Sequence, residues 1–290
     1  MSESLEVLRR IHDADRLAMA EVEKALPQIA EVADAIAERL AAGGRWFYVG
    51  AGTSGRMCVL DAAELPPTFG IESDRVVALM CGGDKALRHS VEEVEDDVNA
   101  SARDLKKAKL SERDAVFAVA ASGTTPFVRS ALQIAREKGA LTVAFVCNPG
   151  TPIVEASDLA IQLHTGVEVV NGSTRMKAGL AQKMVLTMLS TAVMSRLGLV
   201  YDDEMVAMRP TNTKLRARAA RIMVDILGVE KPEAQELLES SKWDLPISLI
   251  RGRFDLTAGE AKRRLEEHGG SVRDALDSGE PVVRDGDPEL

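Results

Sequence analysis

Trp46-Phe47-Tyr48-Val49 runs directly into Gly50-Ala51-Gly52-Thr53-Ser54-Gly55-Arg56. The first four residues are apolar without alternation, as expected of a strand buried on both faces. The residues after them are small and hydroxyl-bearing, and they lead into a helical pattern over Ser54–Glu64. Working outward, the same kind of apolar run recurs at Val76–Met80, Ala115–Ala120, Leu141–Val146 and Leu159–Leu163, with helical patterns at Asp84–Lys107 and Pro126–Lys138 between them. Strands alternating with helices predict an α/β fold, a doubly wound parallel five-stranded sheet covered on both faces. Ligands bind beyond the carboxyl ends of such strands. The loops there are Ala51–Gly55, Cys81–Gly83, Ala121–Thr125, Cys147–Gly150 and His164–Gly172.

The flanks are helical. Two N-terminal helices are expected, Ser4–Leu26 and a second that starts after Pro27 and stops at Gly43-Gly44, with proline and glycine as punctuation. A long helix over Ser173–Leu197 follows the last strand, and after Asn212 the sheet signals give way to short helices at Lys214–Leu227, Pro232–Ser240, Leu245–Arg251, Thr257–His268 and Ser271–Asp277. This divides the chain into a sheet domain with its N-terminal helices (1–222), a small helical domain (223–278) and a Pro-, Gly- and Asp-rich tail (279–290) expected to be disordered.

The 290 residues are 46% hydrophobic and 28% charged, an ordinary globular composition, with a net charge of -9. An acidic chain without a basic tract suits neither nucleic acid nor an anionic membrane. No apolar run is long enough to span a bilayer, and the charged start lacks a signal core, which points to the cytoplasm. The three cysteines, Cys58, Cys81 and Cys147, form neither a disulfide framework nor a zinc-thiolate cluster, and the four histidines lie far apart. No metal or cofactor is implied.

Two strand-end loops share one chemistry: Gly52, Thr53 and Ser54 after the first strand, and Ser122, Gly123, Thr124 and Thr125 after the third. Each opens a helix, whose free N–H groups and partial positive charge suit a phosphate. Asn171-Gly172-Ser173-Thr174-Arg175 opens the long helix in the same way, with Lys177 close behind. The triphosphate loop G-x-x-x-x-G-K-[ST] and the dinucleotide fingerprint G-x-G-x-x-G are both missing, so a sugar monophosphate fits best. The competing explanation is that these hydroxyls merely cap helices.

Two acids stand out. Glu64 precedes Pro66-Pro67, which should end its helix. A carboxylate at a helix C-terminus is disfavoured, so Glu64 is expected to hold a proton and to act as an acid. In the run Glu92-Glu93-Val94-Glu95-Asp96-Asp97, Glu95 lies nearest the edge of an apolar stripe formed by Leu87, Val91, Val94, Val98, Ala102 and Leu105. It is the acid of that run able to reach a partly buried site. Cys147 with His164 is a weaker candidate dyad, Glu168 is either a base or a structural acid, and Met184, Met188 and Met194 are read as core contacts.

Taken together, Gly50-Ala51-Gly52-Thr53-Ser54-Gly55-Arg56, Leu60-Asp61-Ala62-Ala63-Glu64, Pro66-Pro67-Thr68-Phe69-Gly70, Glu95-Asp96-Asp97, Ala120-Ala121-Ser122-Gly123, Cys147-Asn148-Pro149, Gly172-Ser173-Thr174-Arg175-Met176-Lys177-Ala178-Gly179, Ala181-Gln182-Lys183 and Thr211-Asn212-x-Lys214-Leu215 resemble the N-acetylmuramic acid 6-phosphate etherase family over roughly Leu5 to Ile222. The resemblance implies a sugar isomerase (SIS) domain, a homodimer, no cofactor, and a C-terminal domain similar to ubiquitin-associated domains. It implies a lyase in cell-wall sugar recycling, with Glu64 as acid and Glu95 as second catalytic residue. A phosphosugar isomerase and a phosphosugar-sensing regulator are the alternatives, and neither needs both glutamates. The chain departs from the family pattern at Thr124, where Arg is usual, at Val167, where Pro is usual, and at Asp202-Asp203-Glu204, and it starts almost at the first helix.

Overall fold

The computed structural model describes residues 2–91 and 93–279 and, of Glu93, the backbone alone. The expected tail from 280 onward lies outside them. The described residues form two compact units, the first from those up to 64 with 72–193 and the second from 65–71 with those from 194 on.

The first unit begins with α1 (Glu3–Lys24) and α2 (Leu26–Ala41), the latter opened by Pro27. The sheet follows, with β1 (Trp46–Gly50), α3 (Gly52–Phe69), β2 (Val76–Met80), α4 (Gly83–Arg88), a 3₁₀ turn (Glu93–Asp96), α5 (Val98–Lys107), β3 (Ala115–Ala120), α6 (Pro126–Glu137), β4 (Leu141–Val146), a single turn α7 (Pro152–Glu155), β5 (Leu159–Gln162) and α8 (Lys177–Arg196). All five strands are parallel, in the order β2-β1-β3-β4-β5. The direction of winding therefore reverses between β1 and β3, and this is where the carboxyl ends open a crevice for a ligand.

Strand side chains alternate between the two faces. Phe47, Val49, Val116, Ala118, Ala144 and Val146 pack with Leu105 of α5, Phe127, Val128, Ala131 and Leu132 of α6, and Ile153 of α7. On the opposite face Trp46, Tyr48, Phe117 and Phe145 form a chain of rings, with centroids 4.4 Å apart for Trp46–Tyr48 and 5.8 Å for Tyr48–Phe117. Over that face α3 and α8 are tied to the sheet by a buried polar cluster, in which Tyr48 Oη donates to Asp61 Oδ2 at 2.8 Å and Ser190 Oγ to Asp61 Oδ1 at 3.2 Å.

Two expected helices differ. Pro66 and Pro67 do not end α3, which runs on to Phe69. Proline keeps a helical φ but loses its N–H bond and crowds the preceding turn, and the buried Leu65 and Phe69 help to hold the helix through this stretch. The expected helix Asp84–Lys107 is broken into α4, the 3₁₀ turn and α5. His89 is extended, and the Asp97 carboxylate accepts the N–H groups of Asn99 and Ala100, so a new helix is capped there.

The second unit contains α9 (Thr213–Leu227), α10 (Lys231–Ser240), α11 (Leu245–Phe254), α12 (Ala258–Glu267) and α13 (Val272–Asp277). Ala219, Ile222 and Met223 of α9 share one apolar core with Leu238, Leu249, Ile250, Ala275 and Leu276. Thr257 and Glu260 close a reciprocal capping box at α12. Among the described residues no helix is long and apolar enough to cross a membrane.

Candidate functional site

The loops that end β1, β3 and β4 converge on the start of α8. Gly179 is the meeting point for two of the expected ligand residues: a side chain there would touch Thr53 Cγ2 and the Thr174 carbonyl, both at 3.5 Å. Ala121, Cys147 and Ala178 form a small buried apolar cluster. The Cys147 N–H donates to the Ala121 carbonyl at 3.1 Å, and Asn148 Nδ2 donates to the same oxygen at 3.2 Å. Thr53, Ser122 and Thr174 thus belong to loops gathered around the first turn of α8.

Within these loops the hydroxyls have different duties. Ser54 is buried and paired with Gln182 of α8 (3.0 and 3.1 Å), so its side chain fastens the two helices together. Ser122 Oγ accepts the Thr124 N–H at 3.3 Å and the Thr124 hydroxyl at 3.1 Å, which shapes the turn while both side chains stay exposed. Thr125 occupies the N-cap of α6 without a side-chain cap bond. The simple capping explanation therefore fails at α6. Gly123 has φ +74°, and a Cβ there would run into the Thr151 side chain. Thr151 Oγ1 is itself buried without a hydrogen-bond partner.

The start of α8 is occupied differently from expectation. Glu168 is buried, and its carboxylate accepts the N–H groups of Lys177 (3.3 Å) and Ala178 (3.0 Å). It is a structural acid that already neutralises this helix terminus. Lys177 is buried as well and donates from Nζ to the Val167 carbonyl at 2.7 Å. Ser173, half-buried, and Thr174, exposed, lie in the turn just before the helix.

Glu95 sits on the 3₁₀ turn, half-buried. Its Oε1 comes within 3.2 Å of the Cβ position of Gly52, where φ is +53°. Any side chain at Gly52 would meet this carboxylate, so the first residue of α3 and Glu95 share one space. The acid singled out on the helical wheel thus faces the β1 loop, although the segment is a 3₁₀ turn and not the expected α-helix. Glu64 is exposed on α3, more than a turn before its end, so the helix-end argument for it does not hold. It lies 64 − 52 = 12 residues beyond Gly52, about 18 Å along the axis at about 1.5 Å per residue. One chain does not bring its two glutamates together.

Other candidates resolve simply. Cys147 is buried with its thiol directed to the Ala178 carbonyl at 3.9 Å, and burial followed by the charge of Glu168 pushes it up to about 12. His164 is exposed beside Glu21, so the two form no dyad. Of the methionines Met194 is core, but Met188 is 40% exposed. Among the described residues no three His, Cys, Asp or Glu side chains gather as a metal site would require. Sequence reasoning missed Thr151 altogether. It quoted Gln182 and Asp61 only as parts of motifs. Nothing in a linear sequence distinguishes a buried polar pair from an exposed one.

Comparison with known proteins places these features. The family profile of the SIS domain matches residues 88–192, and that of the glucokinase regulatory protein N-terminal SIS domain matches residues 28–136. An N-acetylmuramic acid 6-phosphate etherase of Vibrio campbellii is 43% identical over 278 residues, covering 96% of this chain and 90% of its own. One from Cronobacter sakazakii is 44% identical, covering 94% and 92%. Among solved structures, a phosphoheptose isomerase from Francisella tularensis shares the fold, with a TM-score of 0.53 at 19% identity over 67% of this chain and 100% of its own.

Proposed function

The chain belongs to the N-acetylmuramic acid 6-phosphate etherase family, and from that premise we propose how its residues work. It is a carbon–oxygen lyase that cleaves the D-lactyl ether of N-acetylmuramic acid 6-phosphate to N-acetylglucosamine 6-phosphate and D-lactate, in the recycling of cell-wall sugar. A plain ether resists hydrolysis near neutrality. In the ring-opened sugar, however, the C2 proton is acidified by the C1 aldehyde, and the lactyl oxygen on C3 is β to it. Removal of that proton forms an enolate, whose collapse to a C2–C3 double bond expels the lactyl oxygen as an acid protonates it. Water then adds at C3, and C2 regains a proton.

We assign the C2 proton to Glu95 and protonation of the leaving oxygen to Glu64. The phosphate is held by Gly52, Thr53, Ser122, Gly123, Thr124 and Thr125, with Ser173 and Thr174 at the edge, while Ser54 and Lys177 brace the loops. The observation that carries the reading is the Glu95 carboxylate against Gly52, at the start of the helix that a phosphate would approach.

The separation of the two glutamates supports a homodimer whose site is shared. A distance of about 18 Å along α3 exceeds the reach of one side chain across one sugar. Leu60, one turn before Glu64 and on the same side of the helix, is 46% exposed, as expected of a surface that a second copy covers. Each site then takes Glu95 from one chain and Glu64 from the other.

The decisive experiment is incubation of the protein with N-acetylmuramic acid 6-phosphate and an enzymatic assay of D-lactate. Release of lactate with appearance of N-acetylglucosamine 6-phosphate is expected. Binding of the phosphosugar without lactate would bring the regulator forward, and conversion to a ketose would bring the isomerase forward.

A further inference from the structure

Glu95 stands on a single 3₁₀ turn of four residues, and a base must hold its carboxylate to a fraction of an ångström. Bonds that tie this turn to the sheet help to fix it. Cys81, the residue just after β2, is buried, and its Sγ donates to the Val94 carbonyl at 3.0 Å. The same carbonyl accepts the Asp97 N–H at 3.2 Å, a bond that closes the end of the turn. Val94 also packs with Cys81 in the core between the sheet, α5 and α6. Cys81 is itself anchored, since its N–H donates to the Gly50 carbonyl at 2.9 Å, two residues before the Gly52 that Glu95 touches. A short chain of bonds therefore runs from the β1 loop through Cys81 to the peptide that joins Val94 to Glu95. From the other side of the same loop, Arg56 of α3 donates to the carbonyls of Leu87 (3.3 Å) and His89 (3.1 Å) at the end of α4.

We propose that Cys81 is a positioning residue for Glu95: its thiol pins the Val94 carbonyl and so registers the Glu95 carboxylate against Gly52. The proposal rests on the assignment of Glu95 as the base. The thiol is suited to the task. Burial, then the charges of Glu95, Asp104 and Asp97, push it up to about 12, so at neutral pH it keeps the proton it donates and is a poor nucleophile.

The test compares three substitutions in the full-length protein. Cys81→Ala removes the donor and volume, Cys81→Val restores volume without a donor, and Cys81→Ser keeps a donor. With N-acetylmuramic acid 6-phosphate, Ala and Val are expected to lower kcat about 10- to 100-fold with KM changed less than about 2-fold, and Ser to regain part of the loss. C2–H exchange in deuterated water should fall in parallel with lactate release. Hydrogen–deuterium exchange of the peptide covering Val94–Asp97 should quicken in Ala and Val but not in Ser, with other core peptides unchanged. That readout needs no turnover, so it separates this proposal from the etherase assignment, which fails if the wild-type protein releases no lactate. A Val variant with wild-type kcat, or Ala and Val variants whose peptide exchanges at the wild-type rate, would overturn the role given to Cys81.

Discussion

With the roles proposed, Glu95 and Glu64 are expected to fail in different ways when neutralised. Glu95→Gln is expected to stop both exchange of the C2 proton with deuterated water and release of D-lactate, because no enolate forms. Glu64→Gln is expected to block lactate release more severely than exchange, since the enolate still forms and reprotonates without expelling the ether. Rapid lactate release by either variant overturns its role. Circular dichroism checks that both fold, as an exposed and a half-buried Glu replaced by Gln should. At the β3 loop, Ser122→Ala is expected to weaken phosphosugar binding by about 1–3 kcal/mol by calorimetry. Gly123→Ala should cost about 1–3 kcal/mol of stability from backbone strain alone, because φ is +74° and the new Cβ meets Thr151. Unchanged affinity in the first or an unchanged melting temperature in the second would show that the loop is not set as described.

At the scale of elements, the packing of α3 and α8 on the sheet depends on Asp61. Burial raises the Asp61 carboxyl above its ordinary 3.8, against the hydrogen bonds from Tyr48 and Ser190 and the charge of Lys183. The folded protein therefore holds this proton more tightly than the unfolded chain does. The resulting stability is present below the unfolded value and is lost as pH rises through the folded one. Asp61→Asn cannot titrate. Denaturant unfolding at a series of pH values should show the wild type losing stability relative to Asp61→Asn as pH climbs from about 4. A difference that stays flat or grows with pH would contradict the direction. Elements also show what sequence makes legible. The strands at Val76–Met80, Ala115–Ala120 and Leu141–Val146 are legible to the residue, because short, mostly apolar runs with polar or glycine residues close on either side mark strands even where, as in β2 at the sheet edge, burial is partial. The segment carrying Glu95 was misread as one helix. Its charge pattern suits a solvated helical face, but the backbone turns extended at His89 and Asp97 caps a new helix by accepting backbone N–H groups. Likewise Ser54 and Lys177 have the composition of an anion site, while their hydrogen bonds show them holding the scaffold.

The molecule as a whole has to reconcile the proposed pair of acids, Glu95 against Gly52 and Glu64 about 18 Å further along α3, with a reaction centred on two adjacent carbons. Closure by a second copy predicts complementation. Glu64→Gln and Glu95→Gln chains, each inactive alone, are unfolded together in equal amounts and refolded, so that dimers form at random. A two-fold dimer has two equivalent sites. In a mixed dimer one site takes Glu95 from the first chain and Glu64 from the second and is intact, while the other lacks both. Mixed dimers make up about half of a random population, so lactate release should recover to about a quarter of the wild-type value. If both glutamates acted from one chain, no arrangement would restore a complete site and the mixture would stay inactive. The exposed Leu60 offers an independent check, because a charge there meets the covering surface and not the chemistry. Leu60→Asp should shift the protein toward a mass near 31.2 kDa by light scattering and lower lactate release with it. A fully active monomer would end the shared-site reading.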